Sequence, residues 1–425
     1  MTLIEELTWR GFIQQITHPE LGELLDRERF TLYCGFDPTA DSLQVGNLLP
    51  ILCLAHFQRR GHKPIVLVGG GTGLIGDPSG KTQERPLLTK DQVEINLHGQ
   101  QRQLERILDF EGKNEAVIVN NAEWLCRLGL LDFLRDIGKH FTVNVMLNKE
   151  SVRQRVNDRE HGMSFTEFSY SLLQAYDFLC LFDAYGCRLQ IGGSDQWGNI
   201  VAGMDLVRRL RDAVAYGLTV PLVTKTDGTK FGKSEVGNIW LDPNRTSPYR
   251  FYQFWINTSD ADAPRFLRYF TFLGREEILG LERRTTEQPE GRAAQRTLAE
   301  EVTRLVHGGE ALRNAVRASE AMFGGDLAGL DEAMLEDVFS EVPSSQLPRG
   351  YLTAGKTLAE VLAECGVFKS KGEARRMAQS GGLYVNNQRI DSADAKLTTQ
   401  CLCSERIAVI RTGKKRYHLL RFAGG

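Results

Sequence analysis

A chain of 425 residues, 42% hydrophobic and 25% charged, is too long for one ordinary core and has the composition of a globular protein of two or three domains. Its 13 Pro and 42 Gly exclude a collagen-like or low-complexity chain, and no run approaches the roughly 20 apolar residues that cross a bilayer. The formal net charge is −2, yet Gly350–Gly425 holds 13 Lys+Arg against 6 Asp+Glu, so an acidic body precedes a basic tail suited to a polyanion.

The opening Met1-Thr2-Leu3-Ile4-Glu5-Glu6 resembles neither a secretory nor a transit peptide, which reads as cytoplasmic. Phe30–Gly35 reads as a strand that turns at Asp37-Pro38. Asn47–Gly61 follows as a helix, with Pro50 in its first turn and Gly61 as its stop. Lys63–Val68 is a continuous apolar run and hence a buried strand, and similar strands recur at Ala116–Val119, Arg188–Ile191 and Leu218–Val223. This alternation predicts an α/β domain over residues 1–247, a parallel sheet with helices on both faces and ligands at the carboxyl ends of its strands. From Pro248 the pattern turns helical, predicting a helical domain over 248–325. A Pro- and Ser-bearing acidic stretch, 326–351, reads as a linker, and 352–425 as a small α+β domain. The eight cysteines (Cys34, Cys53, Cys126, Cys180, Cys187, Cys365, Cys401, Cys403) show no C-x-x-C spacing. Neither a zinc site nor a disulfide scaffold is expected, and no protein-bound metal.

Two motifs mimic nucleotide loops. Gly71–Gly76 spells G-x-G-x-x-G after a strand, but Asp77-Pro78-Ser79-Gly80 follows at once and would break the helix that a dinucleotide fingerprint requires. Gly76–Thr82 has three residues between its glycines where a P-loop needs four. What remains is a glycine-rich loop with Asp77 and Lys81. Ser164-Phe165-Thr166-Glu167 is a capping box that starts a strongly apolar helix, in which Tyr170, Gln174 and Asp177 form one polar stripe. On such a helix a polar stripe lines an internal pocket. Gly192–Asn199 leads from a strand into a helix and offers Asp195 to a hydroxyl or ammonium group. Lys225–Ser234 is a glycine-containing turn with two lysines three apart, a candidate phosphate clamp.

Together these residues resemble bacterial-type tyrosyl-tRNA synthetases, a class I aminoacyl-tRNA synthetase family. The resemblance spans the whole chain and rests on YCGFDPTADSL, GLIGDPSGK, SFTEFSY with LQAYDF, LQIGGSDQWGNI and TKTDGTKFGKS. It implies a tyrosine–tRNA ligase that joins L-tyrosine and ATP, taken with Mg2+, into tyrosyl-adenylate and then charges tRNA(Tyr). Tyr33 and Asp177 would hold the phenol hydroxyl, Asp77, Tyr170 and Gln174 the ammonium, with Gln196 near the carboxylate. Cys34, Gly35, Asp37, Thr39, Gly46, Gly193 and Asp195 would face ATP, while Lys81, Arg85, Lys230 and Lys233, with the hydroxyl of Ser234, would meet the pyrophosphate.

The chain departs from the class I His-x-Gly-His motif, having Gln44-Val45-Gly46-Asn47 instead. The two amide nitrogens of Gln44 and Asn47 can donate where imidazoles would, since those contacts are donations and not proton transfers. The alternative is that both amides merely cap the helix beginning near Asn47, which would make Asn47 its N-cap. The tail is similar to an S4-type RNA-binding domain, with Lys369, Lys371, Arg375, Arg376, Lys414 and Lys415 for tRNA phosphates and Tyr384 and Tyr417 beside them. The resemblance also implies a homodimer, for which Phe133–Phe141 is the candidate interface. Two other readings are an RNA-binding protein with a decayed site and a synthetase for another aromatic amino acid, tryptophan foremost. Lys230, Lys233, Asp77 and Asp177 argue against decay, and Tyr33 with Asp177 favours a phenol over an indole.

Overall fold

The computed structural model describes residues 1–79, 88–149, 152–153, 156, 162–229, 231–234, 237–322, 324–327, 329–413 and 416–423. Their contacts divide into two units, one of Met1–Arg245 with Thr258–Val306 and one of Thr246–Asn257 with His307–Gly425.

The first unit is built on a six-stranded sheet in the order β1-β6-β5-β2-β3-β4, where β1 is Gln15–Ile16, β2 Thr31–Phe36, β3 Lys63–Val68, β4 Val117–Asn120, β5 Cys187–Gly193 and β6 Tyr216–Val220. All neighbours are parallel except the edge pair β1 and β6. The expected parallel α/β sheet is therefore present. Leu218–Val223, expected as one strand, ends at Val220 because Pro221 has no N–H to donate to a ladder. Helix α1 (Leu3–Arg10) and helix α2 (Leu21–Arg27) precede β2. Helix α3 (Leu48–Arg59) is apolar almost all round and packs on β2 and β3, its chain turning away at Gly61, φ 89°.

Helix α4 (Lys90–Leu104) follows β3, and α5 (Phe165–Tyr185) and α6 (Trp197–Arg211) cover the sheet face opposite α3. There Phe178, Leu179, Leu206 and Val207 meet Tyr33, Ile65 and Leu67, the alternate residues of β2 and β3. The capping box expected at α5 is formed: Ser164 Oγ accepts the Glu167 N–H at 3.2 Å and Glu167 Oε2 accepts the Ser164 N–H at 3.3 Å. Strand order reverses between β2 and β5, and the loops beyond their carboxyl ends open a crevice.

The second unit holds a five-stranded sheet in the order β11-β10-β12-β13-β9. Its strands are β9 Ser344–Leu347, β10 Leu383–Val385, β11 Gln388–Arg389, β12 Ile407–Thr412 and β13 Arg416–Phe422. This differs from the expected layout. The stretch 326–351, read as a linker, contains the helix Glu332–Val338 and the edge strand β9, which runs parallel to β13. Its acids are largely paired, Glu332 with Arg406, Glu336 with Arg421 and Asp337 with Arg250, while Leu335, Val338, Phe339 and Leu347 are buried. Pro343 and Pro348 bracket an edge strand, a position that tolerates them, and do not mark a linker. The expected helical domain 248–325 is likewise shared, since residues 258–306 belong to the first unit and the helix Pro248–Ile256 to the second. Helical periodicity marks the helices and is silent on which core receives them.

Candidate active site

A cleft of about 340 Å³ lies at the carboxyl ends of β2 and β5. Every residue expected from sequence to face tyrosine (Tyr33, Asp77, Tyr170, Gln174, Asp177 and Gln196) or ATP (Cys34, Gly35, Asp37, Thr39, Gly46, Gly193 and Asp195) lines it, together with Gln44 and Asn47. Lys81, Arg85 and Lys230 lie outside the described residues. Lys233 and Ser234 are described by their backbone alone, as strand β7, antiparallel to β8 (Gly237–Asn238).

Among the polar groups that line the cleft, Asp177 and Tyr33 are almost wholly buried. Asp177, on α5, is 1% exposed; its Oδ1 accepts from Trp124 Nε1 at 2.7 Å and its Oδ2 from Asn121 Nδ2 at 2.9 Å. Burial raises its carboxyl to about 7, although both hydrogen bonds favour the charged form. The Tyr33 hydroxyl, 0% exposed, has no hydrogen-bond partner among the described residues, and burial followed by the Asp177 charge raises it well above its ordinary value. An orphaned buried hydroxyl costs free energy unless a ligand meets it. A group that both donates and accepts, such as a phenol, would satisfy Asp177 and Tyr33 together.

Above them the polar stripe of α5 enters a connected network. The Tyr170 hydroxyl donates to Asp37 Oδ2 at 2.9 Å, which leaves its oxygen lone pairs for an incoming donor. Asp37 Oδ1 accepts from Thr72 Oγ1 at 2.8 Å, and Thr72 Oγ1 accepts from Asn121 Nδ2 at 3.0 Å. One chain of bonds thus links Asp37 to Asp177. Asp77 accepts from the Ser79 N–H at 2.8 Å and from Gln196 Nε2 at 2.7 Å. Gln174 Oε1 accepts from Asn199 Nδ2 at 3.1 Å. Sequence reasoning passed over Thr72, Asn121, Trp124 and Asn199. The available signal was position: Asn121 stands just after the apolar strand β4, where this fold collects its functional side chains. Thr72 sat inside a glycine loop judged only for its failed nucleotide motif. That loop is a turn of 3-10 helix, Thr72–Leu74, and the described residues directly after it, Ile75–Ser79, form no helix.

The part of the cleft around Asp37 and Gly46 is shaped by close backbone approach. A Cβ on Gly69 would fall 2.1 Å from Asp37 Oδ1, so the loop after β3 can lie against Asp37 only as glycine. A Cβ on Gly46 would meet nothing within 4 Å, leaving the peptide open to the cleft. Burial and then Asp195 raise the Cys34 thiol to about 12, so it serves as a neutral wall group. The side chain of Asn47 does not cap α3, which starts at Leu48; its Oδ1 turns back to accept the Gln44 N–H at 2.9 Å. The carbonyl end of the Asn47 amide is thereby engaged, and the nitrogen remains as the donor. The described lining contains four carboxylates, Asp37, Asp77, Asp177 and Asp195, and no lysine or arginine.

In the second unit, Lys369 and Arg376 are exposed, whereas Lys371 pairs with Glu360 at 3.0 Å and Arg375 with Asp394 at 2.9 Å. Lys414 and Lys415 lie outside the described residues. Tyr384 carries the Arg411 guanidinium 3.7 Å above its ring. Tyr417, expected on the same surface, is buried instead: it packs on Phe339 and its hydroxyl donates to the Met322 carbonyl at 3.1 Å. It alternates inward on β13 with Leu419, which the basic residues around it had masked.

Comparison with known proteins is consistent with this geometry. The family described as "tRNA synthetases class I (W and Y)" matches residues 25–324, and that described as "Tyrosine--tRNA ligase SYY-like C-terminal domain" matches 334–420. A tyrosine–tRNA ligase of Roseiflexus castenholzii is 57% identical over 422 residues, covering 99% of each chain. One of Geobacillus kaustophilus is 57% identical over 426 residues, covering 100% of each. Among solved structures, a C-terminally truncated mitochondrial tyrosyl-tRNA synthetase of Aspergillus nidulans superposes with a TM-score of 0.68 at 31% identity, covering 76% of this chain and 94% of that one. A tryptophanyl-tRNA synthetase of Plasmodium falciparum, 13% identical with a TM-score of 0.52, shares the fold over 73% of this chain and 84% of its own. The chain belongs to the class I tRNA synthetase family of tyrosine and tryptophan enzymes.

Proposed function

We propose that this chain is a tyrosine–tRNA ligase. The observation that carries the choice of amino acid is the pairing of Asp177 with the unpartnered Tyr33 hydroxyl at the closed end of the cleft. A phenol donates to the carboxylate and accepts from Tyr33; an indole or a bare phenyl ring would leave at least one of them unpaired. Asp77, the Tyr170 oxygen and Gln174 hold the ammonium, and Gln196, tied to Asp77, turns toward the carboxylate.

The carboxylate of bound tyrosine is already a nucleophile, so the protein supplies alignment and charge stabilisation. It attacks the α-phosphorus of ATP; the new O–P bond forms as the bond to pyrophosphate breaks. The tRNA terminal hydroxyl then attacks the activated carbonyl and AMP leaves. Cys34, Gly35, Asp37, Thr39, Gly46, Gly193 and Asp195 seat the nucleotide. Gln44 and Asn47 donate to the phosphates as charge builds there. The described lining is acidic, so neutralising the pyrophosphate falls to Lys81, Arg85, Lys230 and Lys233, to the hydroxyl of Ser234 as a donor, and to the Mg2+ that accompanies ATP.

The basic C-terminal residues Lys369, Lys371, Arg375, Arg376, Lys414 and Lys415 contact tRNA phosphates in an S4-like domain. A homodimer is supported by apolar exposure in and beside the expected interface segment, where Leu130 and Leu131 are 72% and 78% exposed and Leu134, Val143 and Val145 are also exposed. ATP–pyrophosphate exchange run separately with tyrosine, tryptophan and phenylalanine tests the assignment. Exchange with tyrosine alone is expected, and exchange faster with either of the others would overturn it.

A further inference from the structure

Helix α4 turns a face of amide side chains toward the loop 38–43, which leads from Asp37 to Gln44. Gln92 donates to Asn96 at 2.9 Å, and Asn96 Nδ2 donates to the Pro38 carbonyl at 2.7 Å. Gln100 Nε2 donates to the Ala40 carbonyl at 3.0 Å. Gln103 Oε1 accepts the Leu43 N–H at 2.8 Å, with the Ser42 hydroxyl 3.3 Å away. Asn96, Gln100 and Gln103 are all buried. The helix lies so near that a Cβ on Gly99 would sit 2.0 Å from the Asp41 carbonyl oxygen. Loop peptide groups shut away from water need partners, and an amide side chain supplies either polarity without a charge.

The bonds continue beyond the loop. The Leu43 carbonyl accepts the Leu241 N–H at 2.9 Å, Val45 N–H donates to the Ile239 carbonyl at 3.0 Å, and Ser42 Oγ accepts the Asp242 N–H at 3.1 Å. Ile239 N–H in turn donates to the Gly232 carbonyl at 2.9 Å, at the base of the β7–β8 hairpin. Gly232, with φ 79°, is pressed so closely on Val45 that a Cβ there would lie 2.9 Å from Val45 Cγ1. Gln103 therefore grips a segment that bears Gln44 at one end and holds the hairpin of Lys233 at the other.

We propose that Gln103 is a positioning residue for adenylate formation: its side-chain oxygen, by holding the Leu43 N–H, sets the placement of Gln44 and of the hairpin that carries Lys233. The inference rests on the phosphate-facing roles given above to Gln44 and Lys233. Gln103 itself does not line the cleft.

Two variants separate positioning from mere structural support. Gln103→Met keeps the length and loses the acceptor; Gln103→Glu keeps an oxygen for the Leu43 N–H and buries a charge. Burying a carboxylate that has two hydrogen-bond donors but no counter-ion is the costlier change for folding, so a positioning role makes the two orders oppose each other. The Glu variant has the lower Tm and the higher rate. Single-turnover adenylate formation at saturating tyrosine and MgATP is expected to fall by about 10²-fold in the Met variant, the scale of a small misplacement of reacting groups, and to stay within about threefold of the parent in the Glu variant. Tyrosine affinity, read by calorimetry, stays at the parental value in both. Rates that rank with Tm, or a Met variant as fast as the parent, would overturn the proposal. Should the Glu variant not fold, the Met variant decides alone: a lowered kcat with unchanged KM for tyrosine supports positioning, and both worsening together refutes it. Failure of the parent protein to bind tyrosine would instead strike the site reading beneath it.

Discussion

Replacing Asn47 separates the two jobs of one amide. Its Oδ1 accepts the Gln44 N–H at 2.9 Å, and its nitrogen is left to donate in the cleft. Asn47→Ala removes both. The lost bond within the turn is expected to lower stability by about 1 kcal/mol, the net worth of a typical hydrogen bond, visible as a shift in the urea midpoint with unchanged slope. Loss of a pre-oriented donor to the phosphates is expected to slow adenylate formation by roughly 10²–10³-fold. The KM for ATP should move little, because the donor is worth most when charge has built on the phosphates. Asn47→Asp then separates the effects. It keeps the acceptor for the Gln44 N–H, so stability returns toward the parent, but it exchanges a donor for a negative charge beside the phosphates, so the rate falls at least as far as in the alanine variant. Stopped-flow measurement of a single turnover and urea unfolding on the same preparations provide both numbers. If Asn47→Asp activates tyrosine as fast as the parent, the amide nitrogen is not a catalytic donor and the side chain serves only the turn.

The Asp177 carboxyl sits near 7 in the folded chain and near the ordinary carboxylate value when unfolded, so folding disfavours its charge. Its contribution to stability is therefore fully present below the unfolded value and is lost as pH rises through about 7. Asp177→Asn should accordingly lose less stability than the parent between pH 5 and pH 8 in urea unfolding, and identical pH slopes would refute this. If the ionised carboxylate accepts the hydrogen bond of the tyrosine phenol as proposed, tyrosine should bind more weakly at pH 6 than at pH 8; calorimetry showing a flat profile would contradict that role. In the C-terminal unit, neutralising the exposed Lys369 and Arg376 together should lower the slope of log affinity for tRNA against log salt by about 1 to 2, with pyrophosphate exchange untouched. An unaltered slope would remove both from the tRNA surface.

Much of this protein was legible in its sequence because the signals are local. The continuous apolar run Lys63–Val68, the four-residue capping box at Ser164 and the stripe Tyr170, Gln174 and Asp177 at the 3.6-residue helical period are local patterns, and the structure follows them. The rejection of the two glycine-loop decoys depended only on Pro78 and on a count of residues; for the first, Thr72–Leu74 is a single 3-10 turn and Ile75–Ser79 continues without helix. Tertiary structure alone decided what lies far apart in sequence. Asn121 and Trp124 become the donors of Asp177 only because β4 ends beside α5, and neither carries a motif. Tyr417 looked like an RNA-facing aromatic in a basic run, yet the pairing of β13 with β12 and β9 turns it into the core. Residues 326–351 have the composition of a linker, and only the docking of β9 on β13 makes them part of a sheet. The physical reason is the same in each case: propensity and period act within a few residues, whereas burial, register and hydrogen-bond pairing depend on chain segments tens or hundreds of residues apart.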